Sequence, residues 1–261
     1  PPGWRLSLPS VRKFVLGDAS LGIERKFVGA PSLVDRAMVT LATQRALMLV
    51  GEPGTAKSLL GELLAAAISG RSTLVVQGGA ATTEDQITYA WNYALLVAEG
   101  PSRRALVPAP IHVGMAEGSI VRFEEITRCP LEVQDCLLPV LGDRVLAIPE
   151  LEGEEALLFA REGFNLVATA NTRDRGVHEM SAALKRRLGF ETVFPIADYE
   201  TERALVRREA GRLLARSGVP TMPGDDVLEV LVTTCRALRE GDDGDPGARL
   251  GASLSTAECV S

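Results

Sequence analysis

The chain has 261 residues, 46% hydrophobic and 24% charged, which is enough for a full core at near-average globular composition and leaves no case for disorder. Acidic residues outnumber basic ones 34 to 28, and a net charge of −6 argues against a broad, sequence-independent grip on nucleic acid. Four cysteines without C-x-x-C spacing (Cys129, Cys136, Cys235, Cys259) and two histidines (His112, His178) give no zinc set and fit reduced thiols in a cytoplasmic protein.

No apolar run reaches the length of a membrane span, and Pro1–Arg5 shows no signal-peptide pattern, so a soluble protein without membrane contact is expected. The chain opens without methionine and stops at Val260-Ser261 inside a helical pattern, so its last domain is expected to be incomplete.

In chain order, Ala46–Val50 reads as a buried parallel strand and Ser58–Ile68 as a helix with leucine and alanine at helical spacing. Between them stand Gly51, Glu52, Pro53, Gly54, Thr55, Ala56, Lys57 and Ser58, a phosphate-binding loop. Glycines at 51 and 54 let successive N–H groups turn inward toward phosphate oxygens at the positive end of the new helix. Lys57 is expected at the β- and γ-phosphates and Ser58 on Mg²⁺, with Leu59 completing the nucleotide-binding set. The pattern G-x-x-x-x-G-K-[ST] is met with one departure, Ala56 in place of the second glycine, which is small enough to be tolerated.

A strand is expected at Thr73–Gln77, then a capping box, Thr83-Glu84-Asp85-Gln86, opening one helix through Tyr89, Trp91 and Tyr93 to Leu96, ended by Gly100-Pro101. The strand Ile120–Glu124 ends in two carboxylates, the arrangement ATP hydrolysis requires: Glu124 holds a water on Mg²⁺ and Glu125 polarises the attacking water. Aspartate is usual at the first of these positions, so Glu124 adds a methylene.

Pro130 suits a first helical position, and Val133, Cys136, Leu137, Val140 and Leu141 share one face up to Gly142. Arg144–Ile148 and Ala156–Ala160 read as a hairpin around the acidic turn Glu150–Glu155. The strand Phe164–Ala170 delivers Asn171 just past its end, either a γ-phosphate contact or a plain turn residue. Glu179–Leu188 reads as a helix ending in Lys185-Arg186-Arg187, cations that by themselves only offset a helix dipole, before a strand at Glu191–Phe194.

Alternating strands and helices predict an α/β fold with a mostly parallel sheet covered on both faces. From Tyr199 the pattern becomes all-helical, with amphipathic helices at Tyr199–Arg216 and Asp225–Arg239, a break at Ser217–Pro220 and a polar linker at Gly241–Gly247. The expected organisation is a nucleotide-binding α/β domain over 1–197 and a small helical lid over 198–261.

This order of parts resembles the AAA+ ATPases, and within them the MoxR branch, which is related to the ATPase subunits of magnesium and cobalt chelatases. The resemblance covers roughly residues 20–261 and rests on Gly-Glu-Pro-Gly-Thr-Ala-Lys-Ser, on Glu-Glu-Ile-Thr-Arg-Cys-Pro-Leu-Glu-Val-Gln-Asp and on Ala-Thr-Ala-Asn-Thr. The middle segment parallels the family's D-E-I-N-R-x-x-x-x-V-Q-x-x-L-L, with Arg128, Val133, Gln134, Leu137 and Leu138 in register. The resemblance implies a P-loop NTPase fold, a three-layer αβα sandwich on a parallel five-stranded sheet with an all-α lid, and a homo-oligomeric, hexameric ring that uses ATP and Mg²⁺.

By the same resemblance Asn171 matches the sensor-1 position and Arg187 the arginine finger, with Arg186 as its rival. The hairpin at 144–160 matches the pre-sensor-1 insertion. Residues around 85–105 match the insertion in the second helix, where Tyr89, Trp91 and Tyr93 either touch a client or lie in the core. Val28 and Gly29 fall near adenine. Ser255 stands where the lid commonly supplies a sensor-2 arginine, for which Arg249 is a possible substitute.

The function expected is ATP hydrolysis coupled to remodelling or maturing a client or adaptor protein, which the resemblance suggests carries a von Willebrand A domain. Three rivals stand beside it: an ATP-controlled assembly scaffold with slow turnover, motivated by Glu124 and Ser255, a DNA-associated motor, and a chelatase-type subunit.

Overall fold

The computed structural model describes residues 1–171, 180–218 and 224–242. Two compact units divide the chain, residues 1–50 with 58–192, and residues 51–57 with 193–261.

In chain order the elements are α1 (Leu8–Leu16), α2 (Pro31–Ala42), β1 (Ala46–Gly51), α3 (Lys57–Ser69), β2 (Val75–Gln77), α4 (Glu84–Ile87), β3 (Tyr89–Trp91), α5 (Tyr93–Glu99), β4 (Leu106–Pro108) and α6 (Pro110–Glu117). They continue as β5 (Ile120–Glu124), α7 (Leu131–Gln134), α8 (Leu137–Gly142), β6 (Val145–Ala147), β7 (Leu157–Phe159), β8 (Asn165–Asn171), α9 (Ala182–Lys185), β9 (Leu188–Val193), α10 (Tyr199–Arg216) and α11 (Asp225–Asp242).

A five-stranded parallel sheet in the order β2-β5-β8-β1-β9 carries the first unit. Along β8 every residue from Asn165 to Ala170 is buried, and β5 is buried at all positions but Arg122, the pattern of strands covered on both faces. Met48, Val121, Phe123, Leu166 and Ala168 meet Ile87, Ile111 and Met115 in one apolar core. Because β1, β5 and β8 run the same way, Val50, Glu124 and Asn171 arrive at one edge of the sheet, the edge where open α/β sheets hold ligands.

Asn165 ties β8 to the α2–β1 connection. Buried at its strand's start, it turns its side-chain amide to the carbonyls of Leu41, Thr43 and Arg45 at 3.3, 3.4 and 3.1 Å, acceptors left open where α2 ends.

Two expected helices are each broken in two, for identifiable reasons. The capping box forms, with Thr83 and Gln86 reciprocally bonded, but α4 lasts one turn before Thr88 returns its N–H and hydroxyl to the Glu84 carbonyl. Tyr89-Ala90-Trp91 then pairs antiparallel with Leu106-Val107-Pro108, so the aromatic period of two belonged to a strand. Asn92 accepts from the Leu95 N–H and starts α5 afresh.

The helix expected from Pro130 to Gly142 interrupts at Asp135-Cys136, because Pro139 has no N–H for the Asp135 carbonyl, which bonds the Leu138 N–H at 3.0 Å instead. Pro130 itself is the N-cap of α7.

The expected hairpin stands, with Val145–Ala147 paired antiparallel to Leu157–Phe159. In the second unit α10 spans the expected Tyr199–Arg216, and Val206, Leu228 and Val232 pack it against α11 beside Tyr199. Glu202, with no exposed surface, accepts from Arg236 at 2.9 Å, and Arg236 also donates to the Ala197 carbonyl at 2.7 Å. The Ser217–Pro220 break lies only partly, and the Gly241–Gly247 linker almost wholly, outside the described residues, and His178, Glu179 and Cys259 fall outside them too. No described helix is long and apolar enough to cross a membrane.

Asn165→Ala strips the amide from three buried carbonyls and is expected to cost about 1–3 kcal/mol, lowering Tm by about 2–4 °C per kcal/mol in a thermal melt.

Candidate active site

The loop after β1 is shaped by contacts within itself and by a close approach to Val193. A Cβ at Gly51 would lie 2.4 Å from the Val193 carbonyl oxygen and 3.0 Å from Thr55 Oγ1, so this glycine is required by close approach, whereas Gly54 takes a left-handed φ of 73°. Ala56 also lies in the left-handed region, at φ 66°, a conformation that costs an L-residue roughly 1–2 kcal/mol. The glycine expected there is thus replaced in the sequence but not in the backbone. Lys57 is 7% exposed, and its ammonium donates to the carbonyls of Gly51 at 3.0 Å and Glu52 at 2.6 Å; Thr55 Oγ1 donates to the same Glu52 oxygen at 2.9 Å.

In the first unit a second network starts at the next residue. Ser58 Oγ donates to Glu124 Oε2 at 2.7 Å, and Thr169 Oγ1 donates to the same oxygen at 2.8 Å. The other oxygen, Oε1, receives Arg122 Nε at 3.1 Å and Nη2 at 2.8 Å. Thr169 Oγ1 in turn accepts the Glu125 N–H at 2.9 Å. Thus one threonine on β8 fixes the carboxylate of the first acid and the backbone of the second.

Glu125 leaves the strand at φ 53° and ψ 45°, another non-glycine in the left-handed region, and Arg128 Nη1 reaches its Oε2 at 2.6 Å. Such strain concentrates at functional sites. Gly78 makes room for this turn, since a Cβ there would stand 2.3 Å from the Glu125 carbonyl oxygen.

Of the other expected residues, Asn171 is the last residue of β8 rather than just past it, two positions from Thr169 and therefore on the same sheet face. Arg187 sits immediately before β9, half-buried, with Nη1 donating to the Ala183 carbonyl at 2.8 Å; a Cβ on Gly142 would come within 2.9 Å of its Nε. Arg186 beside it is exposed. Val28 and Gly29 lie between α1 and α2, where Arg25 Nη2 donates to the Gly29 carbonyl at 2.8 Å. Ser255 and Arg249 lie outside the described residues.

Three residues of the network carried no assigned role in the sequence reading: Arg122, Thr169 and, outside the family register, Arg128. The one signal for Arg122 was a cation inside an otherwise apolar strand.

The donors present fit Mg²⁺. Ser58 gives its proton to Glu124 and so keeps its lone pairs for a cation, and hard oxygen donors in small number are what Mg²⁺ takes when phosphates supply the rest. Among the described residues no group of three or more His, Cys, Asp or Glu is placed to hold a metal ion.

Comparison with known proteins decides the family. A model of the AAA domain, dynein-related subfamily, matches residues 46–188, more than half of the chain and all of the network above. The chain is an AAA+ ATPase. A second model, the YehL-like AAA+ ATPase C-terminal domain, matches residues 200–261. YehL of Escherichia coli K12 is 64% identical over all 261 residues, which span 72% of its own length.

The MoxR resemblance is supported by Chaperone MoxR1 of Mycobacterium tuberculosis, 25% identical over 80% of this chain and 51% of that protein. Gas vesicle ATPase GvpN2 of Halobacterium salinarum is 25% identical over 74% of the chain and 60% of its own length. NtrX of Brucella abortus in complex with ATP shares the fold, with a TM-score of 0.57 at 19% identity over 90% of this chain and 57% of that one.

Ala56→Gly removes the side-chain clash of a left-handed residue and is expected to stabilise the protein by about 1 kcal/mol, raising Tm by about 2–4 °C while nucleotide binding is retained. Melting curves of the two proteins, with and without ADP, check it.

Proposed function

We propose that this ATPase works as a homo-oligomeric ring, hexameric by kinship, that couples ATP hydrolysis to remodelling or maturing a client or adaptor protein, one with a von Willebrand A domain being the first candidate. The observation that carries the reading is the hydrogen-bond chain from Ser58 through Glu124 and Thr169 to the Glu125 backbone, which joins the end of the phosphate loop to both acids.

In this reading Gly51–Leu59 holds the phosphates, Lys57 neutralises the β- and γ-oxygens, and Val28 and Gly29 border the adenine. Ser58 and Glu124 hold Mg²⁺, which when bound draws charge from the phosphate oxygens. Glu125 takes the proton of the attacking water, Asn171 orients that water, and Arg187 reaches the γ-phosphate of a neighbouring subunit. Residues 198–261 act as the lid.

The client contact falls on α5, which has no buried residue and leaves Tyr93 74% and Val97 88% exposed. Tyr89 and Trp91, by contrast, both donate to Glu150, at 3.0 and 3.3 Å, and stabilise the insertion itself. The net charge disfavours a DNA motor.

A second reading, an ATP-controlled scaffold with slow turnover, is favoured by one contact: Arg128 occupies the Glu125 carboxylate that would act as base. Steady-state turnover measured under assembling conditions separates the two, since a remodeller turns over faster as rings form and a scaffold does not.

Lys57→Ala is expected to abolish tight ATP binding, whereas Glu125→Gln binds ATP normally and hydrolyses it very slowly. Equal ATP binding by both variants in equilibrium titrations removes this division of labour.

An arginine finger supplied in trans is worth about 10³–10⁵ in turnover, roughly 4–7 kcal/mol, far above the ~0.3–1 kcal/mol of a helix-capping cation. Arg187→Ala is therefore expected to lose nearly all hydrolysis while keeping ATP binding, and mixing it with Lys57→Ala subunits to restore part of it. If Arg186→Ala shows the large loss instead, the finger is the exposed neighbour.

A further inference from the structure

We propose that Arg122 is a resident counter-cation of Glu124 that sets how tightly the site takes Mg²⁺, by competing with the ion for the same carboxylate. The proposal rests on the reading that Ser58 and Glu124 form the Mg²⁺ site.

Arg122 is placed for this by strand geometry. It stands two residues before Glu124 on β5 and so shares its sheet face. Its side chain is 12% exposed and that of Glu124 9%, so the charges meet away from bulk water, where the attraction is weakly screened. Two nitrogens of the guanidinium, Nε at 3.1 Å and Nη2 at 2.8 Å, converge on Glu124 Oε1. The third, Nη1, donates to the Ser72 carbonyl at 3.2 Å and lies 3.9 Å from Glu62 Oε2, contacts that hold the guanidinium where it is.

The sign of the effect follows from what remains when Arg122 is removed. Glu124 Oε2 keeps its bonds from Ser58 and Thr169, so the carboxylate stays oriented. What disappears is the positive charge on Oε1. A buried carboxylate without a cation is unfavourable, and a divalent ion beside it becomes correspondingly more favourable. Removal of Arg122 therefore tightens Mg²⁺ binding rather than weakening it, opposite to the loss expected if the arginine only oriented the ligand. A glutamate in place of the usual aspartate, joined to an arginine on the same strand face, is then a site tuned for weaker metal binding.

The test uses the full chain with ADP, which avoids turnover. Mg²⁺ is titrated into the protein with ADP, following nucleotide affinity by a fluorescent ADP analogue and thermal stability by melting. In Arg122→Gln and Arg122→Met the Mg²⁺ concentration at half effect is expected to fall about tenfold or more, with ADP affinity in EDTA unchanged within about twofold; tenfold corresponds to about 1.4 kcal/mol. Arg122→Lys, which keeps the charge, is expected to stay within about threefold of wild type.

The metal-free variants are expected to melt below wild type and to recover more of that loss on adding Mg²⁺ than wild type gains. In a Glu124→Gln background Arg122→Gln is expected to leave the Mg²⁺ midpoint unmoved. An unchanged or raised midpoint in both charge-removing variants, with wild-type Mg²⁺ dependence intact, overturns the role of Arg122 alone. A wild-type protein whose ADP affinity ignores Mg²⁺ overturns the metal site itself, and this proposal with it.

Discussion

A single buried carboxylate organises the hydrogen-bond network of the first unit. Glu124 accepts from four donors, two on Arg122 and one each on Ser58 and Thr169, and these reach it from three different elements, β5, α3 and β8. A buried charge must be paired and hydrogen-bonded, so each donor is constrained by the need to satisfy it. The hydroxyl of Ser58 is thereby aimed, and Thr169 is turned so that its remaining lone pair meets the Glu125 N–H. Glu125 owes its backbone position to the same carboxylate, although its side chain points elsewhere, to Arg128.

The sheet supplies the rigidity that this arrangement needs. Parallel strands buried on both faces bring Val50, Glu124 and Asn171 to one edge, and the register of β5 on β8, with Phe123 opposite Ala168, sets Thr169 against the acids. At that edge Glu125 is left-handed without being glycine, as Ala56 is within its own loop. Strain of this kind persists only where surrounding structure over-determines it. Around Glu125 the cause is visible, in the Thr169 bond on one side and the absent side chain of Gly78 on the other.

Away from the edge, two small two-stranded ladders, β3–β4 and β6–β7, extend the α/β frame, and the Glu150 carboxylate joins them by accepting from both Tyr89 and Trp91. Burial and this contact hold the Tyr89 hydroxyl pKa up at about 12, so it remains a donor. The helix α5 between β3 and β4 has no buried residue.

Much of this was legible in the sequence because it is local. The loop Gly51–Ser58, the strands at 47–50, 120–124 and 164–170, the hairpin at 144–160 and α10 each rest on composition and period within a dozen residues, where steric and hydrophobic rules act directly. The single helices expected across Tyr89–Leu96 and Pro130–Gly142 failed because a cross-strand partner further along the chain, Leu106–Pro108, captured one, and the missing N–H of Pro139 broke the other.

Nor does any local pattern say that Ser58 and Thr169 meet on Glu124 or that Thr169 serves both acids, because those contacts exist only once β5, β8 and α3 lie side by side. The sequence by itself therefore determined the loop, the strands and the positions of the two acids, through spacing along the chain. Tertiary structure alone decided which of them share a proton or a charge, because a buried carboxylate takes its partners from whatever donors the packed strands bring within about 3 Å.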